Sequence, residues 1–197
     1  MEIARSQVSR LTIRELKGLD PIHVFVENIK SGAGRMTIIC SGDAWSYGWQ
    51  AMGEKTYLVE MFVQKCDVYY LAKKLAPNTS QTETDESKLE KDAKKTIIER
   101  RREDSMTKEQ ARDLYDIADR FNDGVAANHD LLFDVYGDEW WYCLPTSPNP
   151  QYEYVCKVIQ AVKDAFAMED RELEKQMEEE TGKKCSILGG QVVEEEK

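Results

Sequence analysis

The chain has 197 residues, 41% apolar and 32% charged, a composition that reads as soluble and globular and suffices for one domain or two small ones. No apolar run approaches the roughly 18–20 residues of a bilayer span, and the opening MEIARSQVSRLTIREL lacks an apolar signal region, which predicts a cytoplasmic protein. The net charge of −10 gathers toward the C-terminus: +2 over residues 1–75, −2 over 76–122, and −5 over each of 123–168 and 169–197. That distribution disfavours broad binding to a phosphate backbone. It suits a basic protein partner or a surface imitating nucleic acid, or it simply keeps the protein soluble.

In chain order, Thr12 and Glu15 have the spacing of a capping box, with Gly18 placed to end a short helical turn. Asp20-Pro21 then opens an extended run in which Ile22, Val24 and Val26 alternate with His23, Phe25 and Glu27. Two glycines in KSGAGR, residues 30–35, form a turn, and the β-branched MTIIC follows, so the pair predicts a β-hairpin. The next stretch, CSGDAWSYGWQAMG, carries two tryptophans, a tyrosine and three glycines. It is expected to be the corner between the hairpin and the helices, with glycines permitting the bend and rings sealing it. Leu58, Met61, Phe62 and Cys66 then recur at helical spacing, and Asp67 caps a second helix whose Val68, Leu71, Ala72 and Leu75 share a stripe.

These elements predict a small α+β module over residues 1–77, followed by a polar linker over 78–87 and a mainly helical region over 88–181, either separate or packed on the first module. In that region KLEKDAKKTIIERRRED is a charged helix. Thr107 and Gln110 form a capping box for a helix bearing Leu114, Ile117, Ala118 and Phe121, which Asn122-Asp-Gly124 stops. HDLLFDVY forms a short helix, Gly137 separates it from an aromatic extended piece, and Pro145, Pro148 and Pro150 stiffen a loop. A long C-terminal helix follows with Val155, Ile159, Val162 and Phe166 on one face, before a flexible acidic tail over 182–197. The fold class is therefore α+β: an N-terminal hairpin or small antiparallel sheet packed by helices, then a mainly helical C-terminal part.

Five cysteines, Cys40, Cys66, Cys143, Cys156 and Cys185, and two histidines, His23 and His129, have no zinc-ligand spacing, so neither metal nor cofactor is expected. No phosphate loop, nucleophile elbow or metalloprotease motif is present. Ser105-Met-Thr-Lys108 spells an acyl-transfer motif without its companions. His23 reads as a packed or hydrogen-bonded core histidine and His129 as a helix-start residue. No catalytic residue is assigned.

The aromatic clusters have two readings. In an extended chain Trp45, Tyr47 and Trp49 face one side, either as packing or as a recognition surface. Trp140, Trp141 and Tyr142 cannot all share a face, and Asp138 and Glu139 precede them. Trp45, Tyr47, Trp49, Asp138, Glu139, Trp140 and Trp141 are thus the candidate partner-binding residues. Arg100, Arg101 and Arg102 form the dense basic cluster, although three consecutive arginines fan around a helix and make no single face.

The stretches MTIICSGDAWSYGWQAMG, DEWWYCLPTSPNPQYEYVCKVIQAVKDAF and ELKGLDPIHVFVENIKSGAGR resemble small uncharacterised accessory proteins of lambdoid and other enterobacterial phages and prophages. The resemblance covers most of residues 12–75 and 129–167. It implies a bacterial host cytoplasm and genes that modify host physiology, recombination or defence, and it carries no active-site residues. The leading expectation is a non-enzymatic accessory protein that binds and modulates a host protein, specifically by inhibiting a nuclease or defence complex. The alternative is a nucleic-acid-associated factor of phage replication or recombination using Arg100–Arg102 and the Trp45–Trp49 face. A small enzyme of unknown reaction is third.

Overall fold

The computed structural model describes residues 3, 5–53, 58–119, 121, 124–181 and 185–193. The fold is α+β, with a four-stranded antiparallel sheet at the N-terminus, then helices, the last of them long. The chain forms two compact units: Met1–Ser80 with Pro150–Lys197, and Gln81–Asn149. This division differs from the expected one. The long C-terminal helix joins the N-terminal module, and the second unit opens at Gln81, inside the expected 78–87 linker.

In the first unit, β1 (Ser9–Ile13), β2 (Ile22–Lys30), β3 (Ala33–Cys40) and β4 (Asp43–Trp49) lie in that order. The alternation in β2 is as read: Ile22, Val24 and Val26 are buried, while His23 and Phe25 lie half-buried on the opposite face. Register places Ile22 against Cys40, Val24 against Ile38 and Val26 against Met36, so one face is continuously apolar. Two expectations are corrected here. Thr12 belongs to a strand paired with His23, and Glu15 has φ +62°, so Thr12–Glu15 caps no helix. CSGDAWSYGWQAMG is largely β4 itself: the turn at Ser41-Gly42, both at positive φ, bends the chain, and the aromatic run is a strand.

Three helices cover the apolar face: α1 (Val59–Lys65), α2 (Val68–Leu75) and α7 (Pro150–Thr181). Leu58 offers α1 no side-chain cap, and Asn28 at the end of β2 supplies one, its Oδ1 accepting the Val59 N–H at 2.8 Å while its Nδ2 donates to Glu60 at 3.0 Å. Asp67 caps α2 as expected, accepting from the N–H groups of Tyr69 and Tyr70. Lys163 of α7 donates to the Cys66 carbonyl just past α1, placing a cation at a helix C-terminus. Val155, Ile159, Val162 and Phe166 of α7 are buried, as their spacing predicts. Part of the expected tail is ordered: β7 (Ser186–Leu188) and β8 (Gln191–Val193) form a hairpin packed on α7, while 182–184 and 194–197 lie outside the described residues.

In the second unit, β5 (Thr82–Thr84) pairs with β6 (Thr146–Pro148), so both the expected linker and the expected proline loop contain strand. Between them lie α3 (Glu86–Arg102), α4 (Lys108–Ala118), α5 (Gly124–Ala127) and α6 (His129–Tyr136). Their core is Ala93, Ile97, Met106, Ala118, Leu131 and Val135, with Leu114 and Phe121 packed against it. Thr107 and Gln110 make both bonds of the expected capping box, at 3.1 and 3.0 Å. Ile117, expected on the same stripe, is exposed. The stop at Asn122-Asp123 lies outside the described residues. No helix among the described residues is long and apolar enough to cross a membrane.

Candidate partner-binding surface

The two aromatic clusters have opposite environments. Trp45 and Trp49 are 9% and 4% exposed and point under the helices with half-buried Tyr47. Trp45 sits 6.3 Å from the Tyr154 ring of α7, Tyr47 meets Trp49 edge-on at 5.1 Å, and Trp49 meets Phe62 of α1 at 5.5 Å. Such rings contribute by area burial and edge-to-face geometry. The strand periodicity does put all three on one side, but that side is the core, so as a recognition surface this cluster is corrected to packing.

The second cluster faces outward. Gly137, at φ +88°, ends α6 and turns the chain into a 3-10 turn over Trp140–Tyr142. A 3-10 turn advances about 120° per residue, so three consecutive rings diverge, and α6 has already buried Leu131, Leu132 and Val135 as its own apolar face. Trp141 is left 51% exposed and Tyr142 78% exposed, beside half-buried Trp140. The rings form a continuous run: His129 to Trp140 at 5.3 Å, Trp140 to Trp141 at 5.9 Å, and Trp141 to Tyr142 at 5.7 Å. Asp130, Asp134, Asp138 and Glu139 are all exposed on the same segment, as is Phe133. Phe133 and Tyr142 were missed in the sequence reading of the site. The signal for Phe133 was present, because it falls between the inward positions Leu132 and Val135 of a short helix.

The arginine triplet divides as helical geometry requires. Arg100 Nη1 donates to the carbonyls of Asp134 and Val135 at 2.7 and 2.8 Å, satisfying orphan acceptors at the end of α6. Arg101 pairs with Asp104 at 3.1 Å, and Arg102 is exposed. Arg100 is therefore a structural cap, which corrects its place in a nucleic-acid-binding cluster.

Elsewhere the ionisable groups are tied into structure. His23 Nδ1 accepts from Arg10 at 3.4 Å and lies 3.2 Å from Thr12 Oγ1, on the half-buried sheet face and not in the core as expected. Among the described residues its hydrogen-bond partners include no carboxylate. A hydrogen bond to Cys40 at 3.2 Å, with burial, pushes the Tyr154 hydroxyl up to about 12, and burial raises the thiols of Cys66 and Cys156. A cleft of about 370 Å³ between β1, α7 and the β7–β8 turn holds Glu60, Glu169, Asp170 and Glu172. Burial, then the charges of Asp170, Glu60 and Glu172, raise Glu169 there. No group of three metal-ligating side chains occurs among the described residues.

Comparison with known proteins agrees with the phage resemblance at its coarser level. A model described as a phage family matches residues 1–168, whereas no curated protein and no solved structure matches the chain. The match spans the sheet, both helical units and the buried face of α7, so it covers the whole architecture described above apart from the end of α7 and the β7–β8 hairpin. The chain belongs to this phage family.

Proposed function

We propose that this protein is an accessory protein of a lambdoid or other enterobacterial phage or prophage, which binds a host protein in the bacterial cytoplasm and modulates it without catalysis. The observation that carries the reading is the run of rings through Trp141 and Tyr142, exposed within an acidic segment. Tryptophan and tyrosine dominate binding hot spots because they bury large area at low entropic cost. Four neighbouring carboxylates favour a basic partner and speed its encounter. Basic host proteins that handle nucleic acid fit this chemistry, and inhibition of a nuclease or defence complex is the specific version.

The test is affinity capture from an enterobacterial lysate with the wild-type protein and with Trp141→Ala/Tyr142→Ala, both verified as folded by circular dichroism. A protein retained by the first and lost with the second supports the reading. Identical recovery with both variants would count decisively against it.

A further inference from the structure

On the second unit, α3 and α4 are consecutive helices separated by residues 103–107, and they flank an open groove of about 420 Å³. Ile97 and Ile98 are adjacent in sequence but diverge. Ile97 is buried in the unit's core, whereas Ile98 is 41% exposed and lines the groove with half-buried Ala111 and the exposed Tyr115. Arg101 and Arg102 of α3 and Arg112 of α4 rim this floor, against one carboxylate, Asp116. Arg102 and Arg112 have no ion pair among the described residues. Lys91 and Lys95 lie seven and three residues before Ile98 on α3, and both line the adjoining hollow.

The charge is notable for its setting. Residues 81–149 hold 10 basic and 17 acidic residues, so the groove is a basic island in an acidic unit. An extended phosphate backbone leaving the groove would meet Glu99, Glu103, Asp104 and Asp113, all exposed. A ligand with a short apolar face, its negative charge confined to the groove, faces three arginines there against the single carboxylate of Asp116. Two neighbouring helices with an apolar seam offer the groove into which a third amphipathic helix packs.

We propose that the α3–α4 groove binds an acidic amphipathic helix of a partner protein, its apolar side chains seated on Ile98 and Tyr115 and its carboxylates meeting Arg102 and Arg112, with Arg101, paired to Asp104, at the rim. The site is separate from the acidic aromatic surface and takes a ligand of opposite charge, so it does not depend on that surface's function.

The experiment measures fluorescence anisotropy of a labelled synthetic helix of about 18 residues, with leucine at i, i+3, i+4 and i+7 and glutamate on its flanks. A lysine-for-glutamate version and a labelled single-stranded DNA of similar length serve as comparisons, all against the full-length protein. Saturable, salt-sensitive binding of the acidic helix is expected. Arg102→Glu/Arg112→Glu should weaken it at least about tenfold, and Ile98→Ser should weaken it with the charges intact. Trp141→Ala/Tyr142→Ala should leave it unchanged. Among the described residues Arg102 and Arg112 are exposed and form no hydrogen bond or ion pair, so the charge reversal keeps the test sound if Ile98→Ser proves unstable. No saturable binding, binding insensitive to the reversal, or tighter binding of the DNA through the same arginines would overturn the proposal. So would concentration-dependent self-association lost on reversal, which would assign the groove to a second copy.

Discussion

Asp170, on α7 and 5% exposed, accepts the backbone N–H of Gly189 at 2.7 Å and so ties the β7–β8 turn to the long helix. The same carboxylate accepts from the Gly190 N–H at 2.8 Å and from Gln64 of α1 at 2.8 Å. Three donors thus satisfy a buried anion that faces no cation in any of these bonds. Gly189 has φ +59°, and a Cβ there would stand 2.7 Å from the Met61 nitrogen, so the turn also requires glycine. Asp170→Ala strands two backbone donors and an amide, and should cost about 2–4 kcal/mol in urea unfolding. It should also open the hairpin to limited proteolysis. Asp170→Asn keeps one acceptor and should cost less. A loss for Asp170→Ala below about 0.5 kcal/mol would show that the carboxylate does not anchor the turn.

Gly34 makes a similar demand on the other side of α1. A Cβ at Gly34 would lie 2.7 Å from the Glu27 carbonyl and closer still to Val59. Neither neighbour can yield easily, since one is backbone in a paired strand and the other is fully buried. Gly34→Ala should therefore destabilise the first unit by about 1–3 kcal/mol through overpacking. Thermal unfolding measured beside Gly48→Ala is the check, because a Cβ at Gly48 would meet nothing closer than 3.9 Å.

The arginine triplet gives a prediction in which neighbours behave differently. Arg100→Ala removes two charge-assisted bonds to the end of α6 and should cost about 1–3 kcal/mol. Arg102→Ala should fall within about 0.5 kcal/mol of wild type, as exposed surface substitutions do. Equal losses for the two would mean that the capping bonds contribute nothing. Urea titrations of the three proteins decide it.

What the sequence revealed follows a physical line between local and non-local signals. The β2–β3 hairpin, the Asp67 and Thr107 caps and the buried face of α7 were legible because each signal lies within one element or one turn. β1 was hidden by a Thr-x-x-Glu spelling that also fits a cap, and only pairing with β2 decides it. β5 and β6 join Thr82–Thr84 to Thr146–Pro148 through polar residues with no apolar alternation. Nothing short of the tertiary fold marks those residues as strand. At the candidate site, the sequence identified the aromatic clusters but not their exposure. That depended on α1 and α7 covering Trp45 and Trp49, and on α6 reserving its inner face for Leu131, Leu132 and Val135.

Glu169 supplies a pH prediction. Its carboxyl is held above the usual carboxylate range, first by burial and then by Asp170, Glu60 and Glu172. With the folded value raised, the folded state binds the proton more tightly than the unfolded chain does. Stability from this group is present at low pH and is lost as pH rises from the ordinary carboxylate range through the raised folded value. Glu169→Gln removes that repulsion, so it should melt slightly higher than wild type at pH 7. The gap should close as both are acidified, before general acid unfolding sets in. A variant that melts lower at pH 7 would contradict the sign. The effect is small, because Glu169 is exposed enough for solvent to screen it.

Tryptophan emission tests the candidate surface directly, since the protein has four tryptophans in two environments. Trp45 and Trp49 are buried among Tyr154, Tyr47 and Phe62, so quenchers reach them only through unfolding or slow opening. Trp141 is open to solvent beside Asp138 and Glu139, whose charge concentrates cations and repels anions near the ring. Relative to each ion's quenching of free tryptophan amide, caesium should therefore quench part of the emission more effectively than iodide at equal, low ionic strength. The difference should shrink as added salt screens the field over about 10 Å at 0.1 M. Trp141→Phe should remove most of the caesium-sensitive fraction while leaving the melting temperature unchanged. Trp49→Phe should leave that fraction intact and lower the melting temperature, because the lost ring volume lies in the core. Should iodide quench as well as caesium on that relative scale, the acidic surroundings would not govern access to Trp141, and the case for a basic partner at that surface would fall with them.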